Sequence, residues 1–342
     1  MNNARYDRQI RLPMMGEHGQ HLLSHAKVAI LGCGALGSVA AEILCRAGVG
    51  TLALVDRDVV EWTNLQRQSL YTEADAHQGR TKVEAALEAL TKVNSQVNYV
   101  PIVADVTAEN IHSILADSDL VIDAADNFAV RFLLNDYSLD RKLPWVHGGC
   151  VGTQGQIAFF FGTGRPCFRC LVPEMPPASG VDTCDTAGVL GSATHAIASL
   201  QATEALKWLS GNHQAIRKGV WSIDFWSNRS REIALPESLG NSCAACGQGR
   251  RDYLKGKGGK IATVICGREA VQLSPLVDAN VDLAIMARRW QALGEVTLNR
   301  FYARLRFSER ETLTLFRDGR VIVDGTGDVV RARTMYAQLV GE

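Results

Sequence analysis

The stretch AILGCGALGS, residues 29–38, runs from an apolar segment into the glycine pattern Gly32-x-Gly34-x-x-Gly37. The apolar segment predicts a buried strand, and the glycines predict the turn through which such a strand enters a helix. Gly32 permits a tight turn, Gly34 lets a phosphate approach the backbone, and Gly37 lets the helix pack closely on the strand. The stretch therefore predicts a phosphate-binding turn, although the pattern alone does not distinguish NAD from ATP.

The segments around this turn extend it into an α/β domain. Residues 27–31 and 52–56 have the composition of buried strands, and residues 36–47 between them predict a helix that ends at Gly48. A strand–helix–strand unit of this length requires a parallel sheet. Helices near 81–93, 109–115 and 128–140 and strands near 97–102 and 120–124 continue the alternation. We expect a Rossmann-like, doubly wound, mostly parallel sheet, continued by antiparallel strands from about residue 155.

Composition and charge narrow the class of protein. The 342 residues carry 36 Lys plus Arg and 36 Asp plus Glu, so net charge gives no reason to expect nucleic acid or a membrane surface as a partner. No apolar run reaches the roughly 18 residues of a membrane span, and the first residues lack the apolar core of a signal peptide. We therefore expect a cytoplasmic protein.

A change in composition predicts the domain boundary. Residues 247–260 are rich in Gly, Lys and Arg and have the character of a linker. Beyond them, strands and helices alternate on a smaller scale. We expect a first domain over residues 1–250 and a small α+β domain of unknown role over residues 258–342.

Polar residues downstream of the turn favour a triphosphate. Asp56 lies 19 residues after Gly37, where it can accept hydrogen bonds from ribose hydroxyls. Arg67 and Lys82 bring positive charge for phosphates, and Asn64 can donate hydrogen bonds to them. On position alone, the start of a helix favours an ordinary solvated lysine at Lys82 over a phosphate ligand.

Asp126 follows the fourth strand, at the edge of a parallel sheet where ligands collect. A carboxylate there suits magnesium held against phosphates. The alternative is that Asp126 caps the helix that begins at residues 127–128. The residues by themselves leave both interpretations open.

Two C-x-x-C pairs, separated by the 72 residues 171–242, predict a metal site. Stable disulfides are not expected in a chain with nine cysteines and no export signal. Four thiolates form the closed tetrahedral coordination of structural zinc, which here would tie the end of the first domain back to its strand–loop region. The predicted ligands are Cys167, Cys170, Cys243 and Cys246.

Seven motifs, in order along about residues 5–247, together resemble the ThiF/MoeB/HesA family of the ubiquitin-activating-enzyme-like superfamily. They are RYDRQIRL, GCGALGS, VDRDVVEWTNLQRQ, DAADNFAVR, CFRC, TCDTAGVLG and SCAAC. The motifs DRDVVEWTNLQRQSLY and TCDTAG are most similar to those of the thiazole-biosynthesis branch of the family. GRTK departs from the GxPK that is usual in the family.

The resemblance implies ATP chemistry without hydride transfer. Enzymes of this family adenylate the C-terminal glycine carboxylate of a small ubiquitin-like sulfur-carrier protein, and pyrophosphate leaves. At matching positions the resemblance assigns the nucleotide to Gly32, Gly34, Ala35 and Gly37, the ribose to Asp56, the phosphates to Asn64, Arg67 and Lys82, and magnesium to Asp126 with Asn127 beside it.

The resemblance also implies partners. Arg8 matches an arginine that reaches into the partner subunit's site, which implies a homodimer. Cys184 matches a thiol that forms a covalent link during sulfur transfer; the dipole of the following helix would lower its pKa, whereas the adjacent Asp185 would oppose the thiolate. A cysteine desulfurase or sulfurtransferase is a further expected partner.

The sequence leaves four candidate functions to compare. The first is activation of a ThiS-like carrier for thiamine thiazole biosynthesis, and the second is activation of a MoaD-type carrier for molybdopterin synthesis. A catalytically silent carrier-binding scaffold would be expected to lose Arg67, Lys82 or Asp126, and the chain keeps all three. An NAD-dependent dehydrogenase is the function that the glycine pattern alone would suggest.

Overall fold

The computed structural model describes residues 3–176, 187–256, 263–265, 269–273, 281–308 and 310–340. The chain divides into two compact units, Met1–Lys257 and Gly258–Glu342. Cys184 lies outside the described residues, so its predicted role is not addressed by the structure. Among the described helices, none combines the length and the apolar character that crossing a membrane requires.

The first unit is built on one eight-stranded sheet. Its strands are β1 (Lys27–Leu31), β2 (Thr51–Val55), β3 (Asn98–Ile102), β4 (Leu120–Asp123), β5 (Trp145–Val151), β6 (Gln154–Phe160), β7 (Val220–Asp224) and β8 (Arg229–Ile233). They lie in the order β3-β2-β1-β4-β5-β6-β7-β8, with parallel pairing through β5 and antiparallel pairing beyond it. The predicted doubly wound sheet with an antiparallel continuation is confirmed.

Helices cover both faces of this sheet. They are α1 (Asp7–Ile10), α2 (Gly16–His25), α3 (Gly37–Ala47), α4 (Glu73–Gln78), α5 (Lys82–Val93), α6 (Ile111–Leu115), α7 (Phe128–Arg141), α8 (Phe168–Leu171) and α9 (Gly191–Leu209). Because side chains alternate along a strand, β1 sends Val28 and Ile30 into the core shared with α3, α5 and α9, and Ala29 and Leu31 into the core shared with α6 and α7.

The order of the strands reverses at β1, which pairs with β2 on one side and β4 on the other. In open parallel sheets, ligands bind at such a switch point, outside the carboxyl ends of the strands. The glycine turn follows β1, and the loop of residues 124–127 that carries Asp126, here called the Asp126 loop, follows β4. Both segments therefore border the switch point, and the space between them is called the crevice below.

The second unit is a six-stranded antiparallel sheet, in the order β11-β12-β13-β14-β10-β9, packed against two helices. Its elements are β9 (Thr263–Ile265), β10 (Ala270–Leu273), α10 (Leu283–Trp290), β11 (Glu295–Leu298), β12 (Tyr302–Arg306), β13 (Thr312–Phe316), β14 (Val321–Asp324) and α11 (Val329–Leu339). This α+β architecture agrees with the fold class expected for the C-terminal region.

Candidate active site

The glycine turn is close-packed at two positions and open at one. Gly32 has φ +92°, and a Cβ there would lie 2.6 Å from the carbonyl oxygen of Ala124. A Cβ on Gly37 would lie 1.8 Å from the carbonyl oxygen of Gly32. At Gly34 the nearest atom to such a Cβ is the Gln68 Nε2 at 3.8 Å. The backbone at Gly34 is therefore open to an approaching phosphate, and Ala35, the next residue, is half-buried.

Asp56 ties the end of β2 to this turn. Its Oδ2 accepts a hydrogen bond of 2.7 Å from the backbone N–H of Cys33, and its Oδ1 accepts one of the same length from that of Asp58. Burial raises the pKa of Asp56, with Lys82 and the two backbone donors acting against it. The carboxylate predicted to bind a ribose thus lies directly beside the glycine turn.

Lys82 is held opposite Asp58 by a short antiparallel bridge. Val59 pairs with Thr81, and the backbone N–H of Lys82 donates to the Asp58 carbonyl at 2.9 Å. The Lys82 ammonium lies 3.0 Å from the Asp58 Oδ2, and the residue is only 8% exposed. Burial lowers the pKa of Lys82, but the charges of Asp58 and Asp56 outweigh it and raise that pKa above its usual value.

This burial removes the alternative that Lys82 is an ordinary solvated lysine. Lys82 is also the first residue of α5, where the positive end of the helix dipole disfavours a cation. The chain therefore keeps a charged, buried ammonium at the crevice against the preference of the helix. Such a group is suited to binding an anion.

The helix cap that the sequence left open for Asp126 is made by the next residue, Asn127. Asn127 caps α7, because its Oδ1 accepts a hydrogen bond from the backbone N–H of Val130 at 3.0 Å. Asp126 is exposed, and its Oδ1 accepts a hydrogen bond of 3.2 Å from the Asn127 Nδ2. Its charge contributes to the raised pKa of both Lys82 and Arg57. Asp126 is thus available to a ligand at the crevice.

Asn64 and Arg67 lie on the segment that leads from β2 towards α4. Asn64 is buried at the end of a 3-10 turn, and its Oδ1 accepts from the backbone N–H of Glu61 at 3.0 Å, which leaves its amide N–H groups to face other partners. The Arg67 guanidinium donates to the Thr63 carbonyl at 2.9 Å. Gly191, the first residue of α9, packs against this segment, since a Cβ on Gly191 would lie 3.6 Å from the Cβ of Arg67.

Arg8 lies at the other end of α3 from the glycine turn. Its neighbour Tyr6 packs its ring against Gly48, which caps the carboxyl end of α3, and Gln9 donates to the Ala47 carbonyl at 2.9 Å. The eleven residues of α3 span about 16 Å. The structure therefore does not bring the exposed Arg8 into the crevice of its own chain.

A buried polar network that the sequence motifs do not reveal lies beneath the Asp126 loop. The fully buried Asp123 accepts from His147 Nδ1 at 2.8 Å, lies 3.3 Å from the Arg131 Nε, and accepts from the backbone N–H of Ala125 at 3.2 Å. Burial, together with the charge of Arg131, lowers the pKa of His147, although Asp123 acts against it. No local sequence pattern predicts this network, because His147 contacts Asp123 only through the pairing of β4 with β5.

Asp58, Arg57 and Asp105 are further site residues that were not predicted. The Arg57 guanidinium lies 3.2 Å from the Asp105 carboxylate and 3.8 Å from that of Asp58. The repeated aspartate of the motif DRD was the available signal for Asp58, because a second carboxylate two residues after Asp56 remains at the same sheet edge.

The four predicted zinc ligands converge. Their Sγ atoms lie within 4.8 Å of one another, with separations of 3.9 Å for Cys167–Cys170, 3.7 Å for Cys167–Cys243 and 3.4 Å for Cys170–Cys246. Zinc–sulfur bonds of about 2.3 Å in a tetrahedron place sulfur atoms about 3.8 Å apart. The cluster is therefore of the right size and donor type for a closed zinc site.

Comparisons with known proteins place the chain in a family. The model of the ThiF family matches residues 6–245. The chain is 38% identical over 339 residues to the sulfur carrier protein ThiS adenylyltransferase of Bacillus subtilis, covering 99% of both. It is 37% identical over 251 residues to the SAMP-activating enzyme E1 of Haloferax volcanii, covering 73% of this chain and 91% of that relative.

Two further similarities are partial. The chain is 39% identical over 243 residues to the adenylyltransferase and sulfurtransferase MOCS3 of Aedes aegypti, covering 71% of this chain and 55% of that relative. The crystal structure of E. coli MccB with ATP superposes with a TM-score of 0.62 at 24% identity, over 72% of this chain and 75% of that one. This last similarity concerns the fold alone.

Proposed function

The chain belongs to the ThiF family, and from that premise we propose that it is an adenylyltransferase that activates the C-terminal glycine carboxylate of a ThiS-like sulfur-carrier protein with ATP. The observation that carries the proposal is the buried, charged Lys82 at the glycine-turn crevice. A dehydrogenase has no general need for such a cation, whereas a triphosphate does.

The residues of the crevice divide the work of nucleotide binding. The open backbone at Gly34 and Ala35 and the amino end of α3 would receive phosphate, and Asp56 would accept hydrogen bonds from the ribose. Asn64, Arg67 and Lys82 would face the phosphates. Asp126, beside Asn127, would hold magnesium, which supplies charge neutralisation on the phosphates when it is bound.

The reaction needs positive charge more than acid–base catalysis. The carrier's carboxylate is already ionised at neutral pH. Its oxygen forms a bond to the α-phosphorus while the bond from that phosphorus to the bridging oxygen breaks, and pyrophosphate carries the electron pair away. Lys82 and Arg67 would stabilise the negative charge that develops on the phosphoryl oxygens and on the leaving group.

A homodimer would complete the site with Arg8. In its own chain Arg8 is separated from the glycine turn by the length of α3, so a contribution to catalysis requires a second subunit. Its role would be the same charge stabilisation, supplied in trans. The same proposal assigns structural zinc to Cys167, Cys170, Cys243 and Cys246.

Sulfur transfer after adenylation would involve further partners. We include Cys184 as the thiol for a covalent link during this transfer, and a cysteine desulfurase or sulfurtransferase as the sulfur donor. The unit Gly258–Glu342 belongs to the proposed thiazole-pathway enzyme, since the 339-residue match to the ThiS adenylyltransferase is too long to exclude it.

The second candidate is activation of a MoaD-type carrier for molybdopterin synthesis. The match to MOCS3, an adenylyltransferase and sulfurtransferase, favours it. The matches of 251 and 243 residues to the SAMP-activating enzyme and to MOCS3 are each shorter than the unit Met1–Lys257 alone. The ThiS-like carrier is therefore the preferred substrate.

Exchange of labelled pyrophosphate into ATP tests both candidates. The chain is mixed with ATP, magnesium and either a ThiS-like or a MoaD-type carrier that ends in Gly-Gly. We expect exchange with the ThiS-like carrier, and at least about a hundredfold loss in the Lys82→Met variant. Lys92→Met is the matched control, because Lys92 is exposed on the last turn of the same helix and pairs with Glu88. Absence of exchange with every carrier would contradict the proposal.

A further inference from the structure

We propose that His147 is a positioning residue for the loop that carries Asp126. It acts through Asp123, whose carboxylate fixes the backbone at Ala125. The inference deepens the proposed function and rests on it, because it concerns how Asp126 faces the phosphates and their magnesium ion.

The Asp123 carboxylate is fully buried, with two hydrogen-bond donors and the Arg131 guanidinium around it. Oδ2 accepts from His147 and faces the Arg131 Nε, while Oδ1 accepts from the backbone N–H of Ala125. A buried carboxylate is tolerated only when it is paired and hydrogen-bonded. Removing one donor therefore affects the orientation of the whole carboxylate, and with it the bond to Ala125.

The neighbours of His147 select one tautomer. Asp123 presents only acceptors to Nδ1, so Nδ1 carries the proton and donates at 2.8 Å. The amide nitrogen of Gln156 lies 3.4 Å from Nε2 and is a donor, so Nε2 presents its lone pair. A neutral imidazole satisfies both contacts, and it is 1% exposed, with its ring packed against Phe168.

The network holds Ala125 at both of its backbone groups. Its N–H donates to Asp123, and its carbonyl accepts from the Arg131 Nη2 at 2.6 Å. The same Arg131 nitrogen donates to the Gly148 carbonyl on β5 at 3.3 Å. Asp126 is the next residue along the chain, so the direction of its side chain follows from this anchored peptide.

The preceding residue of the loop contacts the glycine turn. The carbonyl oxygen of Ala124 lies against Gly32, and the Ala124 side chain lies 3.3 Å from the position of a Cβ on Gly37. One buried network therefore supports the proposed magnesium ligand and borders the phosphate-binding backbone. Its loss would weaken magnesium-dependent ATP binding without touching the ribose contact at Asp56.

Two isosteric variants test the inference. In His147→Asn the amide nitrogen occupies the place of Nδ1 and can still donate to Asp123. In His147→Gln the amide reaches the place of Nε2, towards Gln156, and Asp123 loses its donor. His112→Leu is the matched histidine control, because His112 contacts Arg141 at the far end of α7 from the Asp126 loop.

The full chain is titrated with ATP across a series of magnesium concentrations, without carrier, and the dissociation constant is measured by calorimetry. For His147→Gln we expect the magnesium concentration that gives half-maximal ATP affinity to rise about tenfold. We expect His147→Asn to stay within about threefold of the parent, His112→Leu to match it, and adenosine affinity to be unchanged in all variants.

Equal magnesium dependence in the Gln and Asn variants would overturn the inference, as would a parallel loss of adenosine affinity. Both variants are polar and of similar size, so thermal unfolding identifies any variant that does not fold. His147→Leu provides the second comparison if the Gln variant unfolds. If the parent chain binds no ATP, the proposed function itself fails; if it binds ATP with magnesium and the variants match it, only the role of His147 fails.

Discussion

Asp58 and Asp123 are two carboxylates at the same edge of the sheet that differ in burial. The difference separates a group that can take part in ligand binding from one that holds the backbone of the site. Asp58 has a third of its side chain exposed and pairs with Lys82, which lines the crevice. Asp123 is completely buried and pairs with His147 and Arg131. A pair at the boundary with solvent can exchange its partner for a phosphate. A pair enclosed on all sides can only hold the backbone next to it.

The largest expected difference between them is in stability. Asp123→Ala leaves the nearly buried Arg131 without its carboxylate, and breaking a buried pair in this way costs about 3–5 kcal/mol of unfolding free energy. Asp58→Ala should cost about 1 kcal/mol, because a third of the Asp58 side chain is exposed to solvent and Asp56 still faces Lys82. Urea unfolding of the two variants measures the difference. Equal losses would show that Asp58 supports the fold as much as Asp123 does.

The pH dependence of stability sharpens the same contrast. The pKa of His147 is lowered in the folded chain by burial, whereas in the unfolded chain it is about 6.5. The unfolded chain therefore binds more protons between the two values, and His147 makes unfolding easier as the pH falls below about 6.5. Each unit of difference is about 1.4 kcal/mol.

Unfolding free energies of the parent and of His147→Asn, measured between neutral and mildly acidic pH, test this expectation. The parent should lose more stability on acidification than the variant, which has no titrating group at this position. Above about pH 7 the two profiles should run parallel. Parallel profiles over the whole range would mean that His147 is as easily protonated in the folded chain as in the unfolded one.

The parts of the site that the sequence predicted depend on local order along the chain. The glycine turn, the position of Asp56 beside it and the helix that begins at Lys82 each follow from residues adjacent in sequence. The mostly parallel pairing of the sheet follows equally from the alternation of strands and helices, whereas the order of its strands was not predicted. The convergence of the cysteines could be predicted because the spacing within each C-x-x-C pair is itself local.

The parts that escaped prediction depend on cross-strand contacts. His147 and Asp123 are 24 residues apart and meet only because β4 pairs with β5 in one register. Arg131 lies on α7, so its contacts with this network depend on how α7 is oriented relative to β4 and β5. The burial of Lys82 was equally invisible, because it depends on the bridge between Val59 and Thr81. Contacts of this kind, between segments that are distant along the chain, leave no recognisable pattern in a single sequence.

The smallest predicted effect concerns the adjacent residues Asp126 and Asn127, whose roles the sequence could not separate because a shift of one residue moves the cap. Asn127→Ala removes the side chain that accepts from Val130, and loss of such a cap costs about 1 kcal/mol. Asp126→Ala removes an exposed carboxylate that caps nothing, so the stability of this variant should change by less than about 0.5 kcal/mol.

Pyrophosphate exchange should fall far more in Asp126→Ala than in Asn127→Ala, because only Asp126 is proposed to hold magnesium. Chemical unfolding and exchange measured on both variants decide the assignment: if Asp126→Ala were the less stable of the two, the cap would belong to Asp126, and the proposed magnesium ligand would have to be sought elsewhere at the crevice.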